Sequence, residues 1–435
     1  MREMKDSGVE WIGEIPEDWN VGKTLYALSM PITDGPHETP ELFDEGIPFI
    51  SAEAVSCGNG HIDFEHIRGF ISQEFYEECC KKYIPQINDI YMIKSGATTG
   101  KVAKVETQKL FTIWSPLAVF RVKPQKCYYE YLYYFIKSDA YQKQIENKWT
   151  YGTQQNIGMR TLEKLLICFP SIIQQKLIAD YLDAKCSKIN EIIEKQQAII
   201  EKLKEYKLSV IIETVTKGLN PNVEMKDSGV EWIGQMPTSW DCTTVGRIAM
   251  VVRGASPRPA GDPLYFNGND VPWITVAEVT KGDGKYIDGT ETYLTFEGAK
   301  QSRIVEEGTL LLSNSGATLG VPKITRIRGC INDGSVAFYN LSINQEFLLY
   351  LFKGRTFELR KQMQGYGQPN LNTTIVKGIE VTLPTELEQK LIVDFLDQKC
   401  TAIEKTIEDR EKAIDKLQEY KKSLIYEVVT GKKEV

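Results

Sequence analysis

The chain has 435 residues, of which 42% are hydrophobic and 26% charged, with a formal net charge of −7. At roughly 150 residues per domain this length holds two or three ordinary globular domains, and no apolar run approaches the ~20 residues that cross a bilayer. The acidic balance excludes a surface coated in basic residues but leaves room for a local nucleic-acid footprint.

The N-terminus, Met1 to Asp6, is charged with no apolar core behind it, so no secretory signal and a cytoplasmic location are expected. Residues 1–19 form an anchor. Met4-Lys5-Asp6-Ser7-Gly8-Val9-Glu10-Trp11-Ile12-Gly13 recurs identically from Met225 to Gly234, and each copy runs on to a proline and a tryptophan, Pro16 and Trp19, then Pro237 and Trp240. A repeat this far apart describes two tandem modules, not a solenoid.

Residues 20–170 mix strand-like runs, Ile90-Tyr91-Met92-Ile93 and Leu117-Ala118-Val119-Phe120, with a helical run from Tyr128 to Ile145. Three of its loops are rich in hydroxyls, amides and cations. The first runs from Thr33 through His37 to Thr39, and the second from Ser95 through Thr98 and Thr99 to Lys101. The third holds Gln154, Gln155 and Asn156, with Arg160 behind it. Asn and Gln can read adenine, and arginine guanine. Gly96 to Lys101 resembles a phosphate loop, but only three residues separate its glycines and Val102 follows the lysine, so no NTP site is expected. A turn offering hydroxyls and backbone N–H groups to a phosphate backbone remains.

Residues 171–219 read as one long helix. Ser171 and Gln174 form a capping box behind Pro170, and Gly218 ends the run. Leu182, Ile189, Leu203 and Val210 recur in heptads, with Ile178, Ile192, Ile199 and Tyr206 between them, the pattern of a coiled coil. The linker and second anchor occupy 220–240, and a second variable domain 241–384. This domain carries the strand-like Val336-Ala337-Phe338-Tyr339 and a helical run from Gln345 to Gln364. Its loops place Arg253, Ser256 and Arg258 after the anchor, Ser315 and Thr318 in a second Ser-Gly-Ala-Thr turn, and Tyr366, Gln368, Asn370 and Asn372 in an amide-rich segment.

Residues 385–431 repeat the long helix, from the box Thr385 and Glu388 to Gly431, with Leu396, Ile403, Leu417 and Leu424 in the same slots. The intervening slot is polar in both copies, Gln196 and Arg410. An antiparallel pair with aligned ends would bring those two together and fix register. The fold class expected is α+β: two tandem mixed α/β domains joined by two long helices in an antiparallel coiled coil, with pseudo-two-fold symmetry.

Chemistry is hard to find. Nine cysteines without a Cys-x-x-Cys and three histidines predict neither a disulfide scaffold nor a zinc site. No nucleophile elbow, zincin helix, methyltransferase signature or cofactor loop occurs, so no catalytic residue, metal or cofactor is expected.

These residues resemble the specificity subunit of type I restriction–modification systems. The most specific parts are the anchor from Ser7 to Trp19, the helix start from Pro384 to Ile392, and the ending Val428-Val429-Thr430-Gly431-Lys432. The first helix departs, with Gln174-Gln175 for Glu-Gln and Thr216-Lys217-Gly218 for Thr-Gly-Lys; both changes are expected to be structurally harmless. The resemblance implies two target-recognition domains, each reading half of a bipartite site in double-stranded DNA, with the helices setting the spacing. It implies two methyltransferase subunits that bind S-adenosylmethionine, ATP-dependent restriction subunits, and a non-catalytic role for this chain. The rival readings are a stand-alone DNA-modifying enzyme and a protein-only coiled-coil adaptor.

Overall fold

Each anchor repeat folds as a short hairpin, because its Ser-Gly and Ile-Gly turns break the chain between two extended runs. Met4–Asp6 pairs antiparallel with Glu14–Pro16, and Met225–Asp227 with Gln235–Pro237. Gly13 and Gly234 close the turns at φ of 67° and 63°, where a side chain would be strained. The tryptophans that follow, Trp19 and Trp240, are buried.

The computed structural model describes residues 2–151, 155–316, 318–362 and 371–435. The chain divides into two compact units, Met1–Gln196 with Glu411–Val435, and Gln197–Arg410. In unit 1 a four-stranded antiparallel sheet has the order Thr33–Asp34, Leu117–Phe120, Ile90–Ile93, Val102–Lys104. Unit 2 repeats that order as Met250–Arg253, Ser335–Tyr339, Leu310–Ser313, Pro322–Thr325, and adds Tyr286–Ile287 in parallel at the edge. The central strands are buried along their whole length, which is why they read as continuous apolar runs instead of alternating ones.

The helical run expected over Tyr128 to Ile145 is two helices, Tyr129–Lys137 and Asp139–Glu146. Ser138 is extended between them, and its hydroxyl donates to Phe135 O at 2.6 Å. A serine that bonds its own backbone in this way competes with the helix. Of the run expected from Gln345 to Gln364, the helix Gln345–Gln362 is described and the last two positions lie outside the described residues.

The long helices span Ile172–Lys217 and Glu386–Val429. Both capping boxes form: Ser171 N donates to Gln174 Oε1 at 3.0 Å and Thr385 N to Glu388 Oε2 at 2.9 Å. In unit 1, Ile178, Leu182, Cys186 and Ile189 share a core with Leu424, Ile425 and Val428, and Lys421 Nζ donates to Asn190 Oδ1 at 2.6 Å. In unit 2, Ile211 and Val215 share a core with Ile392, Leu396 and Cys400, and Lys207 Nζ donates to Glu404 Oε1 at 2.6 Å. In both units the end of one helix meets the start of the other, so they run antiparallel. The side chains of Gln196 and Arg410 are both half-buried.

One half of the seam differs from its heptad reading. Ile178, Leu182 and Ile189 are buried, but Ile192 is 40% and Tyr206 52% exposed. The inner positions are Cys186 and Ile200, with half-buried Ile193 and Lys207 between and beyond them. Adjacent isoleucines at 192–193 and 199–200 support either phase, and the partner helix selects one.

The glutamine in the first capping box also has a consequence. Glu388 caps with one oxygen and accepts from Trp240 Nε1 with the other at 3.0 Å. Gln174 spends its single oxygen on the cap, and buried Trp19 Nε1 has no acceptor among the described residues. The substitution preserves the cap and costs the indole its partner.

Candidate nucleic-acid interface

In each unit the Ser-Gly-Ala-Thr segment closes a hairpin between two sheet strands. Gly100 N donates to Ile93 O at 2.8 Å and Ile93 N to Lys101 O at 2.9 Å; Gly320 N donates to Ser313 O at 2.8 Å and Ser313 N to Val321 O at 3.0 Å. A strand follows each turn, not a helix, so neither turn has the helix N-terminus of a nucleotide phosphate loop.

The amide-rich segment is stitched to this turn. In unit 1 Ile157 N donates to Lys94 O and Gly96 N to Gln155 O, both at 2.9 Å, and Ser95 bridges Asn156. In unit 2 the equivalent bond runs from Leu371 N to Asn314 O at 2.7 Å. The loop after the anchor joins from the other side. Gly35 lies so close to Ile113 O that a Cβ would come within 1.9 Å of it, and Gly254 would meet Asn332 O at 2.1 Å. Glycine is required at both places for this approach.

In unit 1 the loop after the anchor is tied to the start of the turn by Asp34, which is fully buried. Its carboxylate lies 2.5 Å from Lys82 Nζ, 3.4 Å from Lys94 Nζ and 3.1 Å from His37 Nε2. Burial pushes its pKa up, but the hydrogen bond and charge of Lys82, with Lys94 and His37, hold it below the usual carboxylate value. In unit 2 Asp333 gathers the loop after the anchor. Arg253 Nε donates to its carbonyl at 2.9 Å, Ser256 Oγ to Oδ1 at 2.5 Å, and the exposed Arg258 guanidinium lies 3.8 Å from Oδ2. Cations outnumber the carboxylate in both clusters, which suits a polyanion.

The remaining expected residues fall as follows. Thr33 pairs through its backbone with Val119, and Thr39 is exposed in the same loop. Thr98 is half-buried, and Thr99 Oγ1 donates to Gly96 O at 2.7 Å, so that hydroxyl shapes the turn. Lys101 is exposed, with Nζ 3.4 Å from Ser56 O, and Arg160 is exposed on the helix Met159–Lys164. Ser315 is half-buried and Thr318 exposed. Asn372 is the N-cap of Thr373–Gly378 and accepts from Ile375 N at 2.9 Å. Gln154, Tyr366, Gln368 and Asn370 lie outside the described residues.

Sequence reasoning gave Asp34 no role within the first loop and missed Lys82, Lys94 and Asp333, which hold the loops from positions next to or far from them. Only the equivalence of the two turns carried a signal, because Lys94 and Asn314 immediately precede the shared Ser-Gly-Ala-Thr. Among the described residues no group of His, Cys, Asp and Glu could hold a metal ion, and no helix is long and apolar enough to cross a membrane. The arrangement offers hydrogen-bond donors and cations on two similar platforms, the equipment for base edges and phosphates.

Comparison with known proteins agrees. The family described as the type I restriction modification DNA specificity domain matches residues 36–204 and 237–411. The MjaVIII specificity subunit of Methanocaldococcus jannaschii is 24% identical, over 86% of this chain and 85% of its own length. The putative MjaX specificity subunit of the same organism is 25% identical over 97% and 95%, and the StySPI subunit of Salmonella potsdam 24% over 89% and 83%. Among solved structures, a chain from a study of type I R-M complex assembly superposes with a TM-score of 0.73 at 16% identity, covering 95% of this chain and 98% of that one. The HsdS subunit from Thermoanaerobacter tengcongensis gives 0.51 at 16% identity, covering 96% and 98%. These last two speak for the fold.

Proposed function

The chain belongs to the type I restriction–modification DNA specificity family, and we propose that each unit reads one half of a bipartite site while partner subunits do the chemistry. It is the DNA-recognition component. The variable domains, 20–170 and 241–384, serve as the target-recognition domains, and the long helices 171–219 and 385–431 set the distance between half-sites. Two methyltransferase subunits that bind S-adenosylmethionine, and ATP-dependent restriction subunits, complete the complex in the cytoplasm.

One observation carries this reading. The same hairpin turn, stitched to the same following segment, occurs in both units with different side chains around it. One platform with two sets of donors is what two different half-sites require. The rival readings, a stand-alone enzyme and a protein-only adaptor, gain no support from the family. The test is methylation of a random-sequence DNA library by the full chain with its methyltransferase partner, compared with each alone. Adenine methylation at one bipartite sequence is expected from the mixture only. Methyl transfer by the isolated chain would overturn the proposal.

A further inference from the structure

In each unit a helix, Tyr129–Lys137 or Gln345–Gln362, lies between the reading sheet and a long helix. Buried Gln175, in the first turn of the first long helix, accepts from Tyr128 N at 2.8 Å and donates to Pro170 O at 3.0 Å. Its counterpart Gln389 accepts from Asn344 N at 2.7 Å and donates to Pro384 O at 2.9 Å. Two turns further along, Tyr134 Oη donates to Asp183 Oδ1, and Tyr350 Oη to Asp397 Oδ1 at 2.5 Å.

A glutamate and a lysine complete each cluster. In unit 1 Lys104, 9% exposed and on the sheet strand Val102–Lys104, lies 3.5 Å from Glu130 Oε1 on the helix Tyr129–Lys137 and 3.4 Å from Glu106 Oε1. In unit 2 the lysine comes from another place in the chain. Lys285, at the foot of the added strand Tyr286–Ile287, lies 3.0 Å from Glu346 Oε1 and 2.7 Å from Asp397 Oδ1. The equivalent sheet strand has its own lysine, Lys323, but that one donates to Lys281 O instead. Glutamine, tyrosine, glutamate and aspartate keep their places in both modules. The lysine has moved in sequence and still meets the same glutamate, and in unit 2 it meets the aspartate as well.

Resting on the reading above, we infer that the Lys104–Glu130–Asp183–Tyr134 and Lys285–Glu346–Asp397–Tyr350 clusters are positioning joints that fix each reading sheet on its long helix, and so fix the spacer length the protein accepts. Apolar packing along a helix tolerates small rotation and sliding, whereas a directional set of hydrogen bonds to charged groups does not. The joint touches no DNA-facing loop residue, so half-site sequence and spacer are separable outputs.

The test uses the full chain assembled with its methyltransferase partner, and DNA carrying the cognate half-sites with the natural spacer or with one base pair more or less. Tyr134→Phe/Asp183→Asn and Tyr350→Phe/Asp397→Asn should leave the half-sites unchanged. The preference for the natural spacer should fall about tenfold, the equivalent of about 1.4 kcal/mol. Tyr134→Phe alone, which keeps the ring in its packing, carries the same measurement if a double variant does not unfold cooperatively. Folded variants that methylate more slowly with an unchanged spacer ratio would overturn the joint and leave the DNA-reading function standing. A wild-type complex without any defined site would overturn both.

Discussion

The two anchor tryptophans occupy the same place in the fold and meet different chemistry. Trp240 gives its indole N–H to Glu388, whose other oxygen caps the second long helix. Trp19 faces Gln174, whose single oxygen is taken by the cap and whose amide nitrogen sits 3.5 Å from Asp18 Oδ2. A cap needs one acceptor, but this position is asked for two. The reading platforms differ in the same way. At the start of the turn, unit 1 has Lys94 paired with Asp34, whereas unit 2 has Asn314, whose buried amide has no partner among the described residues. Duplicated backbones therefore hold their shape while the polar groups inside them go in and out of balance.

The equivalence of the two units can be broken most forcefully at the helix seam. Leu182→Ala and Leu396→Ala each remove a fully buried side chain and should each lower stability by about 2–5 kcal/mol. Ile192→Ala, on the exposed side of the seam, should cost no more than about 0.5 kcal/mol. Chemical denaturation of the three variants checks this, and a larger loss at Ile192 would mean the seam has the other phase.

The loops come next. Arg258 is 70% exposed, and Arg258→Ala should relax specificity at one position of one half-site by about 1–3 kcal/mol if it meets a guanine. Binding measured across a set of single-base variants separates this from a phosphate contact, which would weaken every sequence alike. The capping position gives the smallest and most direct comparison. Glu388→Gln should destabilise by about 1–2 kcal/mol by stranding the Trp240 N–H. Gln174→Glu made together with Asp18→Asn, which removes the like charge otherwise left beside the new carboxylate, should stabilise by about 0.5–1 kcal/mol relative to Asp18→Asn alone, since the new oxygen accepts from Trp19 and a carboxylate suits a helix N-terminus. Opposite signs in thermal melts are the expected result; equal signs would show that the indole bond does not matter.

Much of this was legible in the sequence because it is local. The repeated anchors, the two capping boxes, the heptad leucines and the loops rich in hydroxyls and amides are all set by neighbouring residues. The capping boxes in particular formed between the expected partners. The break at Ser138 was less visible, since apolar residues continue on both sides of it, and the serine's bond to Phe135 O marks the end of the first helix.

Sequence by itself therefore determined the duplication, the long helices and the placing of candidate loops, all of which depend on short-range periodicity and turn chemistry. The antiparallel pairing expected of the two helices already puts Glu411–Val435 with unit 1, and the finer choices were left to the tertiary structure. It decided which of two adjacent isoleucines faces the partner helix, and which lysine reaches the carboxylates of each joint. The physical reason is the same throughout. A helix pattern with paired apolar residues, or a lysine on a long flexible stem, satisfies several arrangements equally well until a distant surface supplies the partner that selects one.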